Sequence, residues 1–265
     1  MDKIKISIIT ITYNSERTIE DTIISIVSQN YPNLEYIIVD GGSTDKTKEI
    51  INKYREKISI FISEKDNGIS DAFNKGIKLS TGEVIGIINS DDALMPNSLN
   101  TINEEYDEKI DVYYGNCITW DEETNEKARL KPADDLECMS YSFSIVHPST
   151  FVSRKAYEKF GVFSLDYRCS MDYELLLRMY KAKARFKRIN ADLAVYRMGG
   201  TNQRLRDITL TEIRQISVKY GLNKEIAAYH YWRKKTNDLI KKVLNKFGLI
   251  SIIGKLKIQK RVEKL

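Results

Sequence analysis

The sequence predicts an α/β fold with a mostly parallel, Rossmann-like sheet, and three observations support this prediction. Four short runs rich in isoleucine and valine alternate with helix-like segments, which is the spacing of strand–helix units. Three of these runs end in clusters of polar side chains. After Pro96 the alternation gives way to a mixture of helical and antiparallel patterns, so we expect an α+β second half that covers the carboxyl edge of the sheet.

The four predicted strands of the first half are separated by predicted helices. The strands are IKISIITIT (4–12), YIIVD (36–40), ISIFIS (58–63) and EVIGIIN (83–89). Each of the first three is followed by a segment with apolar residues at helical spacing. We expect a side-chain cap from Ser15 at the first helix and from Ser43 or Thr44 at the second.

The second half predicts further helices and an antiparallel pair of strands. Helical patterns occupy SLNTINEEYDE (98–108), RKAYEKFGVF (154–163) and MDYELLLRMYKA (171–182). Strand patterns occupy DVYYGNCITWDEETNEKARL (111–130), as two strands around an acidic turn, and ARFKRINADLAVYRM (184–198), as one or two strands. From about residue 208 the chain is predicted to be helical. We therefore expect one unit over 1–207, with halves 1–96 and 97–207, and a basic amphipathic helical extension over 208–265.

Composition indicates an ordinary globular protein. Hydrophobic residues make up 42% of the sequence and charged residues 30%, which allows a core with a solvated surface. The three cysteines are far apart and odd in number, a pattern of neither a disulfide framework nor a zinc site. No apolar run approaches the roughly 18 residues of a membrane-spanning helix, and the first residues follow a strand pattern instead of a signal-peptide pattern. These features predict a cytoplasmic protein.

Polar clusters follow the first, second and fourth predicted strands. They are Thr12-Tyr13-Asn14, Asp40-Gly41-Gly42-Ser43-Thr44-Asp45 and Asn89-Ser90-Asp91-Asp92. Because ligands of open parallel sheets bind beyond the carboxyl ends of the strands, we expect the three clusters to share one site. Each cluster alone also has an ordinary explanation as a turn or a helix cap. The sequence lacks both the G-x-G-x-x-G motif after the first strand and a Walker phosphate loop, which argues against those nucleotide-binding classes.

Asp91 and Asp92 stand side by side at a predicted strand exit. Adjacent carboxylates repel each other unless water screens them or a cation lies between them. Hard cations such as Mg²⁺ and Mn²⁺ take one or two protein carboxylates and complete their shell with phosphate oxygens. The pair therefore predicts a divalent-metal site that also holds a diphosphate, with a solvated turn as the alternative.

Two further segments carry candidate catalytic side chains. In SMDYELLLR (170–178), Asp172 lies near the N-terminus of a predicted helix and is either a general base or a simple cap. Glu174 and Arg178 are four residues apart and are predicted to pair. His147, in VHPSTF (146–151), is one of two histidines, and a lone histidine is more often a structural group than a catalyst.

The end of the chain is strongly basic. Between Lys224 and Leu265, twelve Lys or Arg residues stand against three acidic ones, a charge of +9, so the rest of the chain must carry −4 to give the net charge of +5. Apolar residues recur at helical spacing among the lysines, namely Leu239, Ile240, Val243, Leu244 and Phe247. This pattern predicts a helix on an anionic membrane surface, or alternatively a helix packed on the body or on a second subunit. No recognition motif accompanies the charge, so we expect no nucleic-acid partner.

Four segments of the chain match a known family in order and spacing. They are SIITITYNSERTIEDTIISIVSQNYPNLEYIIVDGGSTDKT (7–47), NGISDAFNKGIKLSTGEVIGIINSDD (67–92), VHPSTFVSRKAYEKFGVF (146–163) and MDYELLLR (171–178). They resemble the family 2 glycosyltransferases, and more narrowly the bacterial polysaccharide enzymes of the colanic-acid and O-antigen type. The resemblance covers about residues 4–202. It implies a glycosyltransferase-A fold and an inverting, Mn²⁺- or Mg²⁺-dependent transfer of a hexosyl or N-acetylhexosaminyl group from a nucleotide-diphosphate sugar, most often a UDP-sugar.

The resemblance also implies roles for single residues. The implied nucleotide-sugar-binding residues are Thr12, Tyr13, Asn14, Asp40, Ser43, Asp71, Asn74, Asn89 and Ser90. Asp91, with Asp92 beside it, would hold the metal, Asp172 would be the catalytic base, and His147 would lie near the acceptor. We also place Arg197 on the acceptor side, as a phosphate contact. The sequence departs from the family pattern twice: Asn89 replaces the first acid of the D-x-D motif, and Met171 replaces one of two acids before the helix.

If the basic tail binds a membrane, the expected acceptor is a polyprenyl-diphosphate-linked sugar or oligosaccharide. The protein would then lie on the inner face of the cytoplasmic membrane and act in cell-surface polysaccharide biosynthesis. Two alternatives stay open. A non-catalytic scaffold with the same fold would explain the two departures. A sugar nucleotidyltransferase would need a glycine-rich basic loop after the first strand, where this chain has YNSERT (13–18).

Overall fold

Four strands rich in isoleucine and valine form the parallel centre of the sheet in the computed structural model, which describes residues 3–133, 135–199, 205–246 and 262–264. They are β1 (Ile6–Thr12), β2 (Leu34–Asp40), β3 (Ile60–Ser63) and β4 (Val84–Ile87), in the order β4-β1-β2-β3. Thr12 stands opposite Asp40, and Asp40 opposite Ser63. The carboxyl ends of the first three strands are therefore level, as the sequence predicts.

Helices cover both faces of this parallel centre. They are α1 (Ile19–Val27), α2 (Thr47–Lys53) and α3 (Ile69–Leu79). Because successive strand residues point to opposite faces, Ile9 of β1 shares a core with Phe73 of α3, whereas Ile8 shares the other core with Ile23 of α1. Burial on both faces explains why the strands read as continuous apolar runs.

The second half extends the sheet with antiparallel strands. Its elements are β5 (Ala93–Leu94), α4 (Ser98–Glu105), β6 (Val112–Trp120), β7 (Lys127–Leu130), β8 (Thr150–Ser153), α5 (Arg154–Phe160), α6 (Met171–Lys181) and β9 (Phe186–Arg197). β8 joins β4, and β6 pairs antiparallel with β8 and β7. The predicted hairpin at 111–130 is confirmed, and 184–198 forms one long strand.

β9 brings the second half back to the exit of β4. It runs parallel to β6 and pairs antiparallel with the short β5, where Ala93 faces Val195. Since Ala93 directly follows Asp92, this pairing brings the end of β9 beside the two carboxylates that leave β4.

The C-terminal region begins with two helices, α7 (Arg206–Lys219) and α8 (Lys224–Lys246). Ile216 of α7 is fully buried in the same core as α6, so α7 packs on the body of the protein. The proposed division at residue 207 stays a prediction. Within the described ranges, every helix is too short or too polar to cross a membrane.

The prediction of helix throughout the tail is wrong for its last described residues. β10 (Val262–Lys264) pairs antiparallel with β7, because Glu263 sits between Arg129 at 2.9 Å and Lys131 at 2.5 Å and a β-branched valine starts the strand. Phe247, counted in the predicted apolar stripe, lies outside the described residues.

The predicted helix caps are also wrong. α1 begins after Thr18 and α2 after Lys46, both without a side-chain cap. Asp45, not Ser43 or Thr44, accepts the backbone N–H of Thr47 at 3.0 Å. The serine hydroxyls instead make contacts within the loops that line the candidate site.

A buried ion pair ties the strands together at their amino ends. Glu35 is 6% exposed and accepts hydrogen bonds from the Ser7 hydroxyl (2.5 Å), the Thr81 hydroxyl (2.5 Å) and the Thr81 backbone N–H (2.6 Å), with Lys5 at 2.7 Å. Burial alone would raise the pKa of Glu35, but the hydrogen bonds from Lys5, Ser7 and Thr81 outweigh it and lower the pKa to about 2.

We expect Glu35→Gln to lower the free energy of unfolding by about 2–3 kcal/mol at pH 7, because the lysine loses its partner and the buried donors lose a charged acceptor. A depressed carboxyl pKa contributes stability that is present above the unfolded pKa, near 4.3, and lost as the pH falls towards 2. Urea unfolding at pH 7 and at pH 2.5 measures the difference.

The exposed Glu56→Gln is the matched control, since Glu56 lies on a 3-10 turn at the surface. A Glu35→Gln variant as stable as wild type at pH 7, or a stability difference that is as large at pH 2.5 as at pH 7, would contradict the assigned role of the ion pair.

Candidate active site

The loops after β1 and β2 are bound to each other by short hydrogen bonds. The N–H of Gly41 donates to the carbonyl of Thr12 at 2.9 Å, and the N–H of Asn14 donates to the Ser43 hydroxyl at 2.8 Å. The side-chain oxygen of Asn14 accepts from the N–H of Thr44 at 2.9 Å, and Asn14 has a left-handed φ of 50°. The first two predicted clusters therefore meet in one structure.

Asp40 is the centre of this loop pair. It is fully buried, accepts from the Ser63 hydroxyl at 2.6 Å and from the Ser43 N–H at 3.1 Å, and also holds the Ser43 hydroxyl. The carboxylate thus fixes the ends of β2 and β3. Its predicted contact with a nucleotide stays a prediction.

An open surface lies beside these strand ends. Tyr13 is 63% exposed, and Gly41 lies between its ring and the carboxylate of Asp66: a Cβ on Gly41 would be 3.5 Å from the ring and 2.9 Å from the carboxylate. The hydroxyl of Thr12 is buried and finds no partner among the described residues. The exposed ring of Tyr13 is a suitable surface for stacking a base.

Asp71 belongs to a small charge network on α3. It accepts the N–H of Asn67 at 2.9 Å and pairs with Lys75 at 3.3 Å, and these contacts hold its pKa below the usual range. Lys75 also pairs with Asp66 at 2.7 Å, and the acidic neighbours raise its pKa. Asp71 is therefore connected to the surface beside Tyr13 through Lys75 and Asp66.

Asn74 and His147 both contact Phe163. The amide of Asn74 accepts the N–H of Phe163 at 3.0 Å and donates to its carbonyl at 2.9 Å, so the protein itself occupies both amide groups. His147 packs against Phe73 and Phe163, with ring centroids 5.2 and 6.2 Å away. Burial lowers its pKa to about 4, so the imidazole is neutral at pH 7. Sugar and acceptor contacts by these two residues stay predictions.

The loop after β4 separates the roles of its two carboxylates. Ser90 lies 2.8 Å from the Ser15 hydroxyl, which ties this third cluster to the loop after β1. Asp92 is 3% exposed and accepts from the N–H of Arg197 at 3.2 Å and from the Asn89 amide at 3.3 Å. Asp91 is half-buried. The protein thus uses Asp92 internally, and Asp91 is the carboxylate accessible to a ligand.

Two neighbouring carboxylates in a desolvated place favour a bound cation. Burial raises the pKa of Asp91 against the attraction of Arg197, and burial together with the charge of Asp91 raises the pKa of Asp92 well above its ordinary value. The side-chain oxygen of Asn89 is buried and unpaired among the described residues. Asp91, Asp92 and the Asn89 oxygen therefore fit a hard divalent ion.

The described residues contain no group of three or more His, Cys, Asp or Glu side chains arranged for a metal. Asp91, Asp92 and Asn89 offer only two carboxylates and one amide oxygen. A Mg²⁺ or Mn²⁺ ion held by so few protein ligands completes its shell with phosphate oxygens and water.

Asp172 is placed at the first turn of α6, with its carboxylate accepting the N–H of Tyr173 at 2.8 Å. Burial raises its pKa to about 6. Tyr196, near the end of β9, has its pKa raised to about 12 by burial and then by the charges of Asp92, Asp91 and Asp172. One phenol hydroxyl therefore lies within electrostatic reach of all three carboxylates, which brings the candidate metal ligands and the candidate base together.

Arg197 lies next to the carboxylate pair and is committed to protein groups. Its guanidinium pairs with Asp21 and Glu122, each at 2.9 Å, and covers the ring of Trp120 with 4.8 Å to the centroid. The side chain is only 12% exposed. An acceptor phosphate could reach it only by displacing Asp21 or Glu122, so its predicted phosphate contact has to compete with existing ion pairs.

The Glu174–Arg178 pair predicted at the helix surface is present but buried. Glu174 is 2% exposed, and Arg178 lies 3.1 Å from it while donating to the carbonyl of Val162 at 2.7 Å. The pair therefore fastens α6 to the loop after α5.

Sequence reasoning missed Tyr196, Asp66 and Lys75. Tyr196 belongs to no motif, and only the pairing of β5 with β9 reveals where it lies. Lys75 lies in the segment 67–92 and Asp66 directly precedes this segment, but their spacing of nine residues, which crosses a loop–helix boundary, gave no local signal.

A parallel sheet with nucleotide-type loops at its carboxyl edge and an acidic pair after the fourth strand defines the glycosyltransferase-A class. Solved structures with this fold are similar over most of the chain. The mannosyltransferase PcManGT of Pyrobaculum calidifontis, in complex with GDP-Man and Mn²⁺, matches with a TM-score of 0.66 and 18% identity over 98% of this chain and 82% of its own. TarS of S. aureus, residues 1–349 with UDP-GlcNAc, matches with a TM-score of 0.64 and 19% identity over 86% and 70%.

The chain belongs to the glycosyl transferase family 2, whose sequence profile matches residues 7–171. A PGL/p-HBAD biosynthesis glycosyltransferase of Mycobacterium bovis is 28% identical over 238 residues, which are 86% of this chain and 91% of that protein. The glycosyltransferase GlyG of Streptococcus pneumoniae is 34% identical over 121 residues, 44% of this chain and 40% of that protein. The predicted family and fold are confirmed, and the protein is a glycosyltransferase that uses nucleotide-sugar donors.

Alanine substitutions should separate the roles of the two carboxylates. We expect Asp91→Ala to weaken Mn²⁺-dependent UDP binding at least about tenfold while leaving the melting temperature unchanged, because no other residue in the described part of the chain donates a hydrogen bond to the Asp91 carboxylate. Asp92→Ala should instead cost about 1–3 kcal/mol of stability, because it leaves the N–H of Arg197 and the Asn89 amide unpaired.

Titration calorimetry with UDP and Mn²⁺ and thermal unfolding without ligand measure the two effects. Equal melting temperatures for Asp92→Ala and wild type, or undiminished Mn²⁺-dependent binding by Asp91→Ala, would refute this division.

Proposed function

We propose that the protein is an inverting glycosyltransferase that transfers a hexosyl or N-acetylhexosaminyl group from a UDP-sugar to a hydroxyl of a lipid-linked acceptor. The observation that carries this proposal is the grouping of Asp91, Asp92 and Asp172 around Tyr196, at the sheet edge where the loops of β1, β2 and β4 meet. A metal-type acidic pair and a carboxylate that is ionised at pH 7, all acting on one phenol, suit an in-line displacement.

The donor would lie across the loops of the first two strands. The exposed ring of Tyr13 suits stacking on a uracil base, and Thr12, Asn14, Asp40 and Ser43 would border the base and ribose. TarS binds UDP-GlcNAc and PcManGT binds GDP-Man on the same fold, so the choice of UDP is part of the proposal. Asp91, Asn89 and Asp92 would hold Mn²⁺ or Mg²⁺, which supplies charge neutralisation to a diphosphate.

The reaction would be a single displacement. Asp172 accepts the proton of the acceptor hydroxyl, the freed oxygen bonds to the anomeric carbon, and the bond from that carbon to the diphosphate oxygen breaks with its electron pair leaving on the nucleoside diphosphate. Attack opposite the leaving group inverts the anomeric centre. A carboxyl whose pKa is about 6 is ionised at pH 7 yet basic enough to take a proton in the transition state.

A base with this pKa fixes the pH dependence of turnover. We expect Asp172→Asn to lower sugar transfer at least about a hundredfold while the protein stays folded. For the wild type, kcat/KM should fall about tenfold per pH unit below pH 6, because the protonated carboxyl no longer accepts a proton. Transfer from UDP-sugars to polyprenyl-diphosphate-linked sugars, with Mn²⁺ and between pH 4.5 and 8, provides the measurement.

Near-native transfer by Asp172→Asn would remove Asp172 from the role of base. Product with a retained anomeric configuration would reject the single displacement itself.

A non-catalytic scaffold is the alternative function, because Asn89 and Met171 depart from the acidic residues of the family pattern. Asp91 and Asp172 are both present and grouped at the site, which favours catalysis. Measurable transfer or hydrolysis of a UDP-sugar in the presence of Mn²⁺ decides between the two.

The acceptor side of the proposal depends on α8. One face of this helix packs on α7 and the body, where Ala227 is buried and His230 stacks on Tyr141 with 4.1 Å between ring centroids. The opposite face exposes large apolar side chains, namely Ile226, Tyr229, Trp232, Leu239, Ile240 and Val243. An exposed apolar face on a segment of charge +9 suits peripheral binding to an anionic membrane surface, where a polyprenyl-diphosphate-linked acceptor would reside. This would place the enzyme in cell-surface polysaccharide biosynthesis.

Leu239→Glu tests the apolar face. We expect this variant to require at least about fivefold more phosphatidylglycerol vesicles for half-maximal sedimentation than the wild type, because it puts a charge into the lipid boundary and repels anionic headgroups. Leu165→Glu is the matched control, since Leu165 is similarly exposed, at 66% against 61%, but lies in the loop between α5 and α6.

Both variants should show the weak binding of wild type to neutral phosphatidylcholine vesicles. Equal sedimentation of Leu239→Glu and Leu165→Glu with anionic vesicles would reject the membrane surface. A wild-type protein that forms a dimer and binds no vesicles would also reject the membrane surface, because the apolar face of α8 would then contact a second copy of the chain.

A further inference from the structure

A buried carboxylate from the C-terminal region holds the segment that precedes the candidate base. Glu212, on α7, accepts three consecutive backbone N–H groups: Arg168 at 2.7 Å, Cys169 at 2.9 Å and Ser170 at 2.8 Å. Glu212 is 8% exposed. A single side chain therefore satisfies three amides that lead into α6.

These amides need an acceptor from elsewhere. Arg168 and Cys169 precede α6 and Ser170 is its N-cap residue, so none of the three N–H groups has a partner inside the helix, and buried amides need one. The hydroxyl of a serine at the N-cap commonly accepts one of the first helical N–H groups. Ser170 occupies the N-cap of α6, but its hydroxyl donates to the carbonyl of Thr209 at 3.3 Å and makes no cap. The segment before α6 is thus fastened twice to α7, and both contacts include Ser170, which lies two residues before Asp172.

We propose that Glu212 is a positioning residue of the transfer reaction: it acts through Asp172 by fixing, from α7, the first turn of α6 that carries this carboxylate. The proposal rests on the proposed function, in which Asp172 is the base. Glu212 contacts only the protein, and its effect on the reaction comes from the orientation of that turn. A base displaced by even an ångström loses its alignment with the acceptor hydroxyl.

The electrostatic surroundings of Asp172 give the proposal a second observable. Tyr196 on β9 is affected by the charge of Asp172, and Arg168 and Cys169 lie in the preceding loop. Glu212 lies on α7. Burial is the main cause of the raised pKa of Asp172, and the negative charge of Glu212 raises this pKa further. Glu212 therefore acts on the base by both geometry and charge, and substitutions can separate the two.

Glu212→Gln and Glu212→Asp form the test. Glu212→Gln keeps the length of the side chain and removes the charge, so the acid limb of kcat/KM should move to lower pH and kcat should fall about tenfold. Glu212→Asp keeps the charge but is one methylene shorter and cannot reach all three amides, so kcat should fall with the acid limb unmoved. KM for the donor should change less than twofold in both variants, because the donor loops lie on other elements.

Glu225→Gln, at the exposed start of α8, is the matched control and should behave as wild type. Unchanged kcat in Glu212→Gln overturns the proposal. A fall in kcat that leaves the acid limb of Glu212→Gln unmoved also overturns it, since a merely structural contact would act in that way.

Hydrogen exchange provides a readout that does not depend on catalysis. The amides of Arg168, Cys169 and Ser170 should lose at least about tenfold in protection in Glu212→Gln while the centre of β1 keeps its protection. Unaltered protection of these amides overturns the proposal. If Glu212→Gln does not fold, the same measurement on Glu212→Asp decides.

Near-native transfer by Asp172→Asn would instead reject the proposed base and leave the amide contacts as measured, so the two failures are distinguishable.

Discussion

The repulsion between Asp91 and Asp92 is the constraint on which the site depends. Both carboxylates leave β4 into a place where burial disfavours their charge, and Arg197 is the nearby cation whose attraction acts on both. Two hydrogen bonds to Asp92, from the N–H of Arg197 and from the amide of Asn89, offset part of this cost. Among the described residues of the loop after β4, this leaves one accessible carboxylate, Asp91, and one unpaired amide oxygen, that of Asn89, and both suit the divalent ion of the proposed reaction.

The sheet explains why these groups meet. Level carboxyl ends of β1, β2 and β3 bring the loops with Asn14, Asp40 and Ser63 together, and hydroxyl contacts such as Ser15–Ser90 join the loop of β4 to them. The antiparallel return of β9 to β5 then delivers Tyr196 and closes the site from the second half. The opposite edge of the sheet carries the stabilising ion pair of Glu35, so the polar groups that hold the strands and those that would act on substrate lie at different ends.

Local pattern was sufficient for most of the fold and for part of the site. Strand and helix periods in the first half, and the hairpin at 111–130, follow from which residues must face the core. Tyr196 and Glu212 could not be found in this way. Tyr196 reaches the site through a two-residue strand pairing, and Glu212 is an acid in a helix that was predicted to belong to a basic amphipathic extension. Long-range contacts of this kind leave no period in the sequence.

The position of α7 changes how the C-terminal region relates to catalysis. α7 is held to α6 by Glu212 and by Ile216 in the core, and to α8 by the pair of Arg206 with Asp238 at 2.8 Å. The apolar face of α8 and the first turn of α6 are therefore connected through one helix. α7 therefore packs as part of the body that carries α6, while the apolar face of α8 stays exposed.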